Sequence, residues 1–357
     1  MCLILDLDAP AAAAAPSTTT TASTASSTTT STTVFLTSDL RLKDARIRKE
    51  ERGVRWFFES PRQEFWDALF DQSEGNIDGE VRTMLFHPND AKKYVQGLSL
   101  VDDALLASLN DQESRARIVC NADLLLKYFT LRFFDTNTTV LLKVLDVLDH
   151  LLTVLETENY ALKDYEAALF LPFFIGKMIG DSKDAIRTRV RTLLRRFYPV
   201  FPSSKVFFYL LAGLKSKNAR TRAECLDEMA SLVERQGISV CNAPKAFPVI
   251  ARQISDRESA VRSNAINVLV QAHYHVGAEG VSKYVGVLPA KDRALLDERI
   301  KRAPPSSSMT NSSVYGTIGA RVNEEKSDMG EKVAVSSTVS SVSGDKVSLS
   351  SDNDTDS

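Results

Sequence analysis

The side chains able to do chemistry are few, and their spacing excludes more than it suggests. The 357 residues hold four histidines, His87, His150, His273 and His275, and four cysteines, Cys2, Cys120, Cys225 and Cys241. His273 and His275 stand two apart, so a helix would point them to different sides, whereas a metal pair on one face needs a spacing of three or four. Four scattered cysteines do not make a disulfide framework. Cys120 and Cys225 fall in apolar runs, which reads as buried thiols in a reducing compartment. There is no G-x-x-x-x-G-K-[ST] phosphate loop, no G-x-G-x-x-G after a strand, no H-E-x-x-H and no G-x-S-x-G. No nucleophile stands beside a base, and the carboxylates fall on solvated helix surfaces. An enzyme is not expected, nor a metal or cofactor. What remains is a row of polar segments: Phe134-Asp135-Thr136-Asn137, Asp181-Ser182-Lys183-Asp184, Ser216-Lys217-Asn218-Ala219 and Asp256-Arg257-Glu258-Ser259. Three of the four carry a cation, and their chemistry is charge-assisted hydrogen bonding to an acidic partner. Solvated turns carrying capping residues are the plainer reading of the same segments.

The elements around these segments repeat. Leu141, Arg187, Arg222 and Arg262 stand 46, 35 and 40 residues apart, each six after Asp135, Asp181, Ser216 or Asp256. Twelve and eight residues before them lie Phe129/Phe133, Ile175/Ile179, Leu210/Leu214 and Ile250/Ile254, apolar in every copy. After them run stripes spaced i, i+3, i+4, i+7: Leu145, Leu148, Leu152; Cys225, Leu226, Met229, Ala230, Val233; Ala265, Ile266, Leu269, Val270 and then His273. Thr138, Asp184, Asn218 and Ser259 offer oxygens to cap the second helices. A helix, a polar turn and a second helix at a period near 40 predict an all-α, HEAT-repeat α-solenoid of about five or six helix pairs and roughly ten to thirteen helices. Such a pair cannot bury its apolar face alone, so the copies must stack and their turns must line one edge. Arg187, Arg222 and Arg262 begin each second helix, and bracing a neighbouring repeat fits them better than touching a partner.

Outside the copies the pattern continues. Asp39–Glu51 reads as a charged helical arm, and Pro61 as an early helical position before Phe65, Trp66, Leu69 and Phe70. Val81–Phe86 begins another helix, ended at His87-Pro88-Asn89-Asp90, and Tyr94, Leu98, Val101 and Leu105 form the next stripe. Composition divides the chain into an Ala/Ser/Thr-rich disordered segment at 1–38, a folded domain at 39–303 and a Ser-rich acidic disordered tail at 304–357. The folded part carries a net charge of about +4, too little to demand nucleic acid but compatible with an acidic partner. The opening Met-Cys-Leu-Ile-Leu-Asp-Leu-Asp lacks a basic start and is interrupted by acids, so no secretory leader is expected. No run approaches 18 apolar residues, so no membrane span is expected, and the compartment reads as cytoplasmic.

Several blocks resemble a known family. Arg46-Ile-Arg-Lys-Glu-Glu-Arg52, Trp56-Phe-Phe-Glu-Ser-Pro-Arg62, Leu131-Arg-Phe-Phe-Asp-Thr-Asn-Thr138, Lys215-Ser-Lys-Asn218, Arg222-Ala-Glu-Cys-Leu226 and Glu298-Arg-Ile-Lys-Arg302 are similar to the TOG domains of microtubule polymerases. The nearest likeness is to the fourth TOG domain of the ch-TOG/Mini spindles group, over residues 39–303. The resemblance implies a paddle whose turns grip curved, unpolymerised αβ-tubulin. Carried onto this sequence, the first turn is Phe86 and His87 with Pro88 and Asn89. The second is Phe134, Asp135, Thr136 and Asn137, and the third Ser182 and Lys183. The fourth is Lys217 and Asn218, and the fifth Arg257 and Glu258. Several members carry a tryptophan in the first turn; this chain has none there, which implies weaker or more conditional binding. The resemblance further implies microtubules, other TOG domains and plus-end or centrosomal adaptors as partners. It implies work at plus ends, spindles, kinetochores and centrosomes, in polymerisation and spindle organisation. One paddle alone should bind rather than polymerise, as a fragment of a longer array or a unit assembling with others. A HEAT scaffold that docks another protein without touching tubulin is the alternative.

Overall fold

In the computed structural model the described residues are 33–51 and 56–303. Among them are thirteen α-helices: α1 Leu40–Glu51, α2 Gln63–Ser73, α3 Gly79–Leu85, α4 Ala91–Ser108, α5 Gln112–Arg132, α6 Thr138–Thr157, α7 Asp164–Phe173, α8 Asp184–Arg196, α9 Ser203–Gly213, α10 Ala219–Gln236, α11 Ala243–Arg252, α12 Ser259–Val285 and α13 Ala290–Arg302. The expected solenoid is present. Helices α3/α4, α5/α6, α7/α8, α9/α10 and α11/α12 form five successive pairs. First helices pack on first helices (α5 on α7, α7 on α9, α9 on α11) and second on second (α4 on α6, α6 on α8, α10 on α12).

The stripes read from the sequence make the core. Phe129, Phe133, Ile175, Ile179, Leu210, Leu214, Ile250 and Ile254 are all buried, as are Leu145, Leu148, Cys225, Met229, Ala265 and Leu269. Burying each large apolar side chain is worth about 1.5–3 kcal/mol. Asp78, Asp90 and Asp111 cap α3, α4 and α5 through their carboxylates. Pro172 inside α7 removes one donor, and the helix continues into a single wider turn at Phe174–Met178. Gly277, with φ +71°, bends α12. Pro61 stands outside α2, whose flanking residue is Arg62.

The expected boundary at residue 39 falls too late. Val34 and Phe35 are buried, Leu36 N donates to Asn76 O at 2.9 Å, and Asp78 N donates to Val34 O at 2.9 Å. Two large apolar side chains and two backbone bonds outweigh the Thr/Ser-rich composition around them. Residues 1–32 and 304–357, where disorder was expected, lie outside the described residues.

Helices α1 and α2 lie over α5, which is buried on every side from Ile118 to Arg132. The charged arm keeps Arg41, Arg48 and Lys49 exposed but buries Lys43 and Arg46. Lys43, fully buried, pairs with Glu166 at 2.5 Å and donates to Val119 O at 2.8 Å and Tyr160 Oη at 2.9 Å. Arg46 donates to both oxygens of Asp123 (2.8 and 3.1 Å), to Asn76 Oδ1 (2.9 Å) and to Cys120 O (2.8 Å). Burial, with Glu166 beside it, pushes the Tyr160 hydroxyl well above its usual range. A second charged layer links the second helices. Arg189 of α8 meets Asp146 and Asp149 of α6 at 2.9 and 3.0 Å, while Arg191 and Arg195 meet Glu224 and Glu228 of α10 at 3.2 and 3.1 Å.

Candidate partner-binding edge

Four turns joining the helix pairs are built alike. Asp135, Asp181 and Asp256 each accept, through Oδ1, from the backbone N–H two residues on, at 2.9, 2.7 and 2.9 Å. Ser216 Oγ does the same at 3.2 Å. These side-chain turns explain the recurrence of Asp or Ser at that place. Helix capping differs from the expectation. Asn137 and Asn218 cap α6 and α10 by accepting from Thr139 N and Arg220 N. Thr138, Asp184 and Ser259 are instead the first helical residues, preceded by Asn137, Lys183 and Glu258, and only Asn218 caps as expected.

The repeated arginine closes each turn. Arg187 Nη1 donates to the carbonyls of Asp181 and Ser182 (2.8 and 3.0 Å), Arg222 Nη1 to those of Ser216 and Lys217 (2.9 and 3.3 Å), and Arg262 Nη1 to those of Asp256 and Arg257 (2.9 and 2.8 Å). Each of these arginines thus braces its own turn. Arg222 also reaches the next repeat, donating through Nε and Nη2 to both oxygens of Asp256 at 2.9 Å. Partial burial alone would raise the pKa of Asp256, but the Arg222 hydrogen bonds, the Glu258 N–H and the charges of Arg222 and Arg262 hold its carboxyl below the usual range. Leu141, in the arginine's place, is buried.

Successive turns touch, which makes them one edge. Lys183 Nζ bonds Thr138 Oγ1 across turns three and two. Asn218 Nδ2 donates to Gly180 O at 3.1 Å and Arg220 Nη1 to Asp181 O at 3.4 Å, joining turns four and three. A Cβ on Gly180 would stand 2.6 Å from Thr221 N and 2.8 Å from its Cα, so only glycine permits this approach. Turn one joins through Arg132, which donates to Leu85 O at 2.8 Å and lies 3.7 Å from Asp135.

The expected contact residues divide by exposure. Thr136, Asn137, Ser182, Lys183, Lys217, Asn218, Arg257 and Glu258 are exposed. The cations of Lys217 and Arg257 have no partner among the described residues, so they are available to an acidic surface. Asp135 is partly buried in its turn, and Phe86, His87 and Phe134 are also half-buried. Phe134 packs against Phe58 and Phe173 under the Lys177 ammonium. Phe86 closes α3 and meets Trp66 and Phe70 of α2 edge-on, at 6.3 and 5.4 Å. An aromatic is therefore present at turn one, delivered by α2 from sixteen to twenty residues upstream. Reading the turn in isolation missed it, because the contact is made between helices and not within the turn.

Among the described residues no group of His, Cys, Asp and Glu could hold a metal ion, and none of their helices is long and apolar enough to cross a membrane. Burial pushes the Cys241 thiol up to about 11 and raises Cys120 and Cys225 as well, so these cysteines are poor nucleophiles.

The family model described as XMAP215/Dis1/CLASP, TOG domain, matches residues 100–286. Protein mini spindles of Drosophila melanogaster is 42% identical over 271 residues, covering 75% of this chain and 13% of that protein. A solved structure from work on how TOG–tubulin binding specificity promotes microtubule dynamics and mitotic spindle formation is 40% identical, with a TM-score of 0.68, covering 75% of this chain and all of that one. The TOG domain structure of Caenorhabditis elegans Zyg9 is 31% identical, with a TM-score of 0.67, covering 75% and 98%. The chain thus spans a small part of the curated relative and nearly the whole of the solved domains.

Proposed function

We propose, from the premise that this chain belongs to the XMAP215/Dis1/CLASP TOG-domain family, that its row of turns binds αβ-tubulin. The observation that carries the reading is the continuous edge of five turns exposing Lys217 and Arg257 without partners among the described residues. Tubulin is acidic, so these cations steer encounter and set register along the edge. Turns cross-linked through Asn218, Arg220 and Arg222 form a rigid edge, and such an edge discriminates between curved and straight forms of a partner. It shifts their balance by its differential affinity and releases the partner as it straightens. Within a longer protein, tethered paddles raise local tubulin concentration at a microtubule end.

On the same reading, the binding residues are Phe86, His87, Phe134, Asp135, Thr136, Asn137, Ser182, Lys183, Lys217, Asn218, Arg257 and Glu258, with Arg187, Arg222 and Arg262 as turn braces. The unit is one paddle over about residues 33–303, kin to the fourth TOG domain of the ch-TOG/Mini spindles group. It works on the cytoplasmic cytoskeleton, at plus ends, spindle and centrosome, beside other TOG domains and adaptors, and without catalysis. The test is gel filtration of the full chain with unpolymerised αβ-tubulin, beside Lys217→Ala/Arg257→Ala. Co-elution that the double variant weakens tenfold or more is expected, a loss of at least about 1.4 kcal/mol. Equal elution of the two proteins would sink the site, and absence of any complex would sink the function.

A further inference from the structure

The first turn lacks a protruding tryptophan but borders a cleft. Its walls are Trp66, Phe70, Phe86 and Pro88, with Gln63, Asp67, Thr83 and His87 at the rim, and its volume is ≈ 270 Å³. That lies below the ~300 Å³ at which small-molecule pockets begin, and suits one large side chain. The rings are held in place from behind. Arg132 stacks over Trp66 at 4.6 Å and Arg82 over Phe70 at 4.4 Å. Trp66 and Phe70 both stand edge-on to Phe86, at 87° and 78°. The cleft is therefore preformed, and an occupant need not spend binding energy on ordering its walls. The mouth carries the exposed pair Gln63 and Asp67, in which Gln63 Nε2 donates to Asp67 Oδ1 at 2.9 Å. Polar groups at the mouth of an apolar cleft favour an occupant whose tip can bond them.

We infer that turn one acts as a receptor, taking into this aromatic cleft one side chain of the partner with an apolar body and a hydrogen-bonding tip. This rests on the tubulin reading above and reverses the sense of contact implied by a protruding tryptophan. Continuity selects the occupant: the cleft sits at the end of the exposed edge, where Arg132 ties turn one to turn two. A partner lying along turns two to five would carry a side chain over it.

The test fills the cleft from its rim. Thr83 is exposed on α3, and its hydroxyl donates back to Gly79 O of its own helix. Thr83→Trp in the full chain is expected to weaken αβ-tubulin binding at least tenfold, with an unchanged melting temperature. The chain has two tryptophans, so 5-fluorotryptophan labelling yields two ¹⁹F resonances, assigned with Trp66→Phe. On adding tubulin the Trp66 resonance should move and the Trp56 resonance should stay. If Thr83→Trp binds within twofold of the parent, or Trp66 does not respond, while Lys217→Ala/Arg257→Ala still weakens binding, the cleft is overturned and the tubulin reading stands. If the parent chain forms no complex with tubulin, both fall.

Discussion

Replacing Arg222 by Met should loosen the joint between the fourth and fifth turns. The side chain makes four bonds: two to the carbonyls of Ser216 and Lys217, and two to the carboxylate of Asp256. Arg222 and Asp256 are 15% and 12% exposed, which places the pair between a surface and a buried ion pair. A fully buried pair broken on one side costs ~3–5 kcal/mol and an exposed one ~0–1. We therefore expect a loss of about 2–3 kcal/mol, with methionine retaining the aliphatic packing. Asp256→Asn in the same chain should add little, because the two residues share one interaction. A double-mutant cycle should return a coupling of ~1–2 kcal/mol. The pH dependence carries the same signature with a fixed sign. The carboxyl of Asp256 is held below its ordinary 3.8 in the folded state. Its contribution is thus complete above that value and is lost as pH falls through and below it. Urea unfolding of parent, single and double variants at pH 7 and again near pH 3 measures all of this. Because repeats are coupled mainly to their neighbours, hydrogen exchange should report the loss first in α10, α12 and the fifth turn. A loss under 0.5 kcal/mol, or additive single variants, would refute the view that this arginine joins two repeats.

Two further outcomes follow from close contacts elsewhere. Gly180→Ala places a Cβ against the Thr221 backbone, so the third and fourth turns must separate; a cost of ~1–3 kcal/mol and weaker tubulin binding at unchanged helix content are expected, by urea titration and gel filtration. Lys43→Met strands Glu166 inside the protein and should cost ~3–5 kcal/mol, whereas Lys43→Met/Glu166→Leu should recover most of it. Equal stabilities for that single and double variant would show the pair is not desolvated as described.

The residues that repeat were legible in order: apolar pairs, a turn acceptor, an arginine. Periodicity exposes them because each copy solves the same packing problem, and so the helix pairs and the row of corners followed from local chemistry alone. Capping was read correctly at Asn218 but one residue late at α6, where oxygens at neighbouring positions are equally able to bond an N–H and only backbone geometry chooses Asn137 over Thr138. The non-repeating start was beyond such reading. A helix as charged as α1 looks solvated, yet Lys43 and Arg46 find Glu166, Asp123 and two backbone carbonyls more than seventy residues away. Nothing local marks Trp66 as a neighbour of the first turn, since its place depends on how α2 lies across α5. What the sequence by itself determined was the repeating unit and the sign of its exposed edge. What only tertiary structure decided was which charges are interior and where the aromatics gather, because those depend on partners brought together by packing between distant segments.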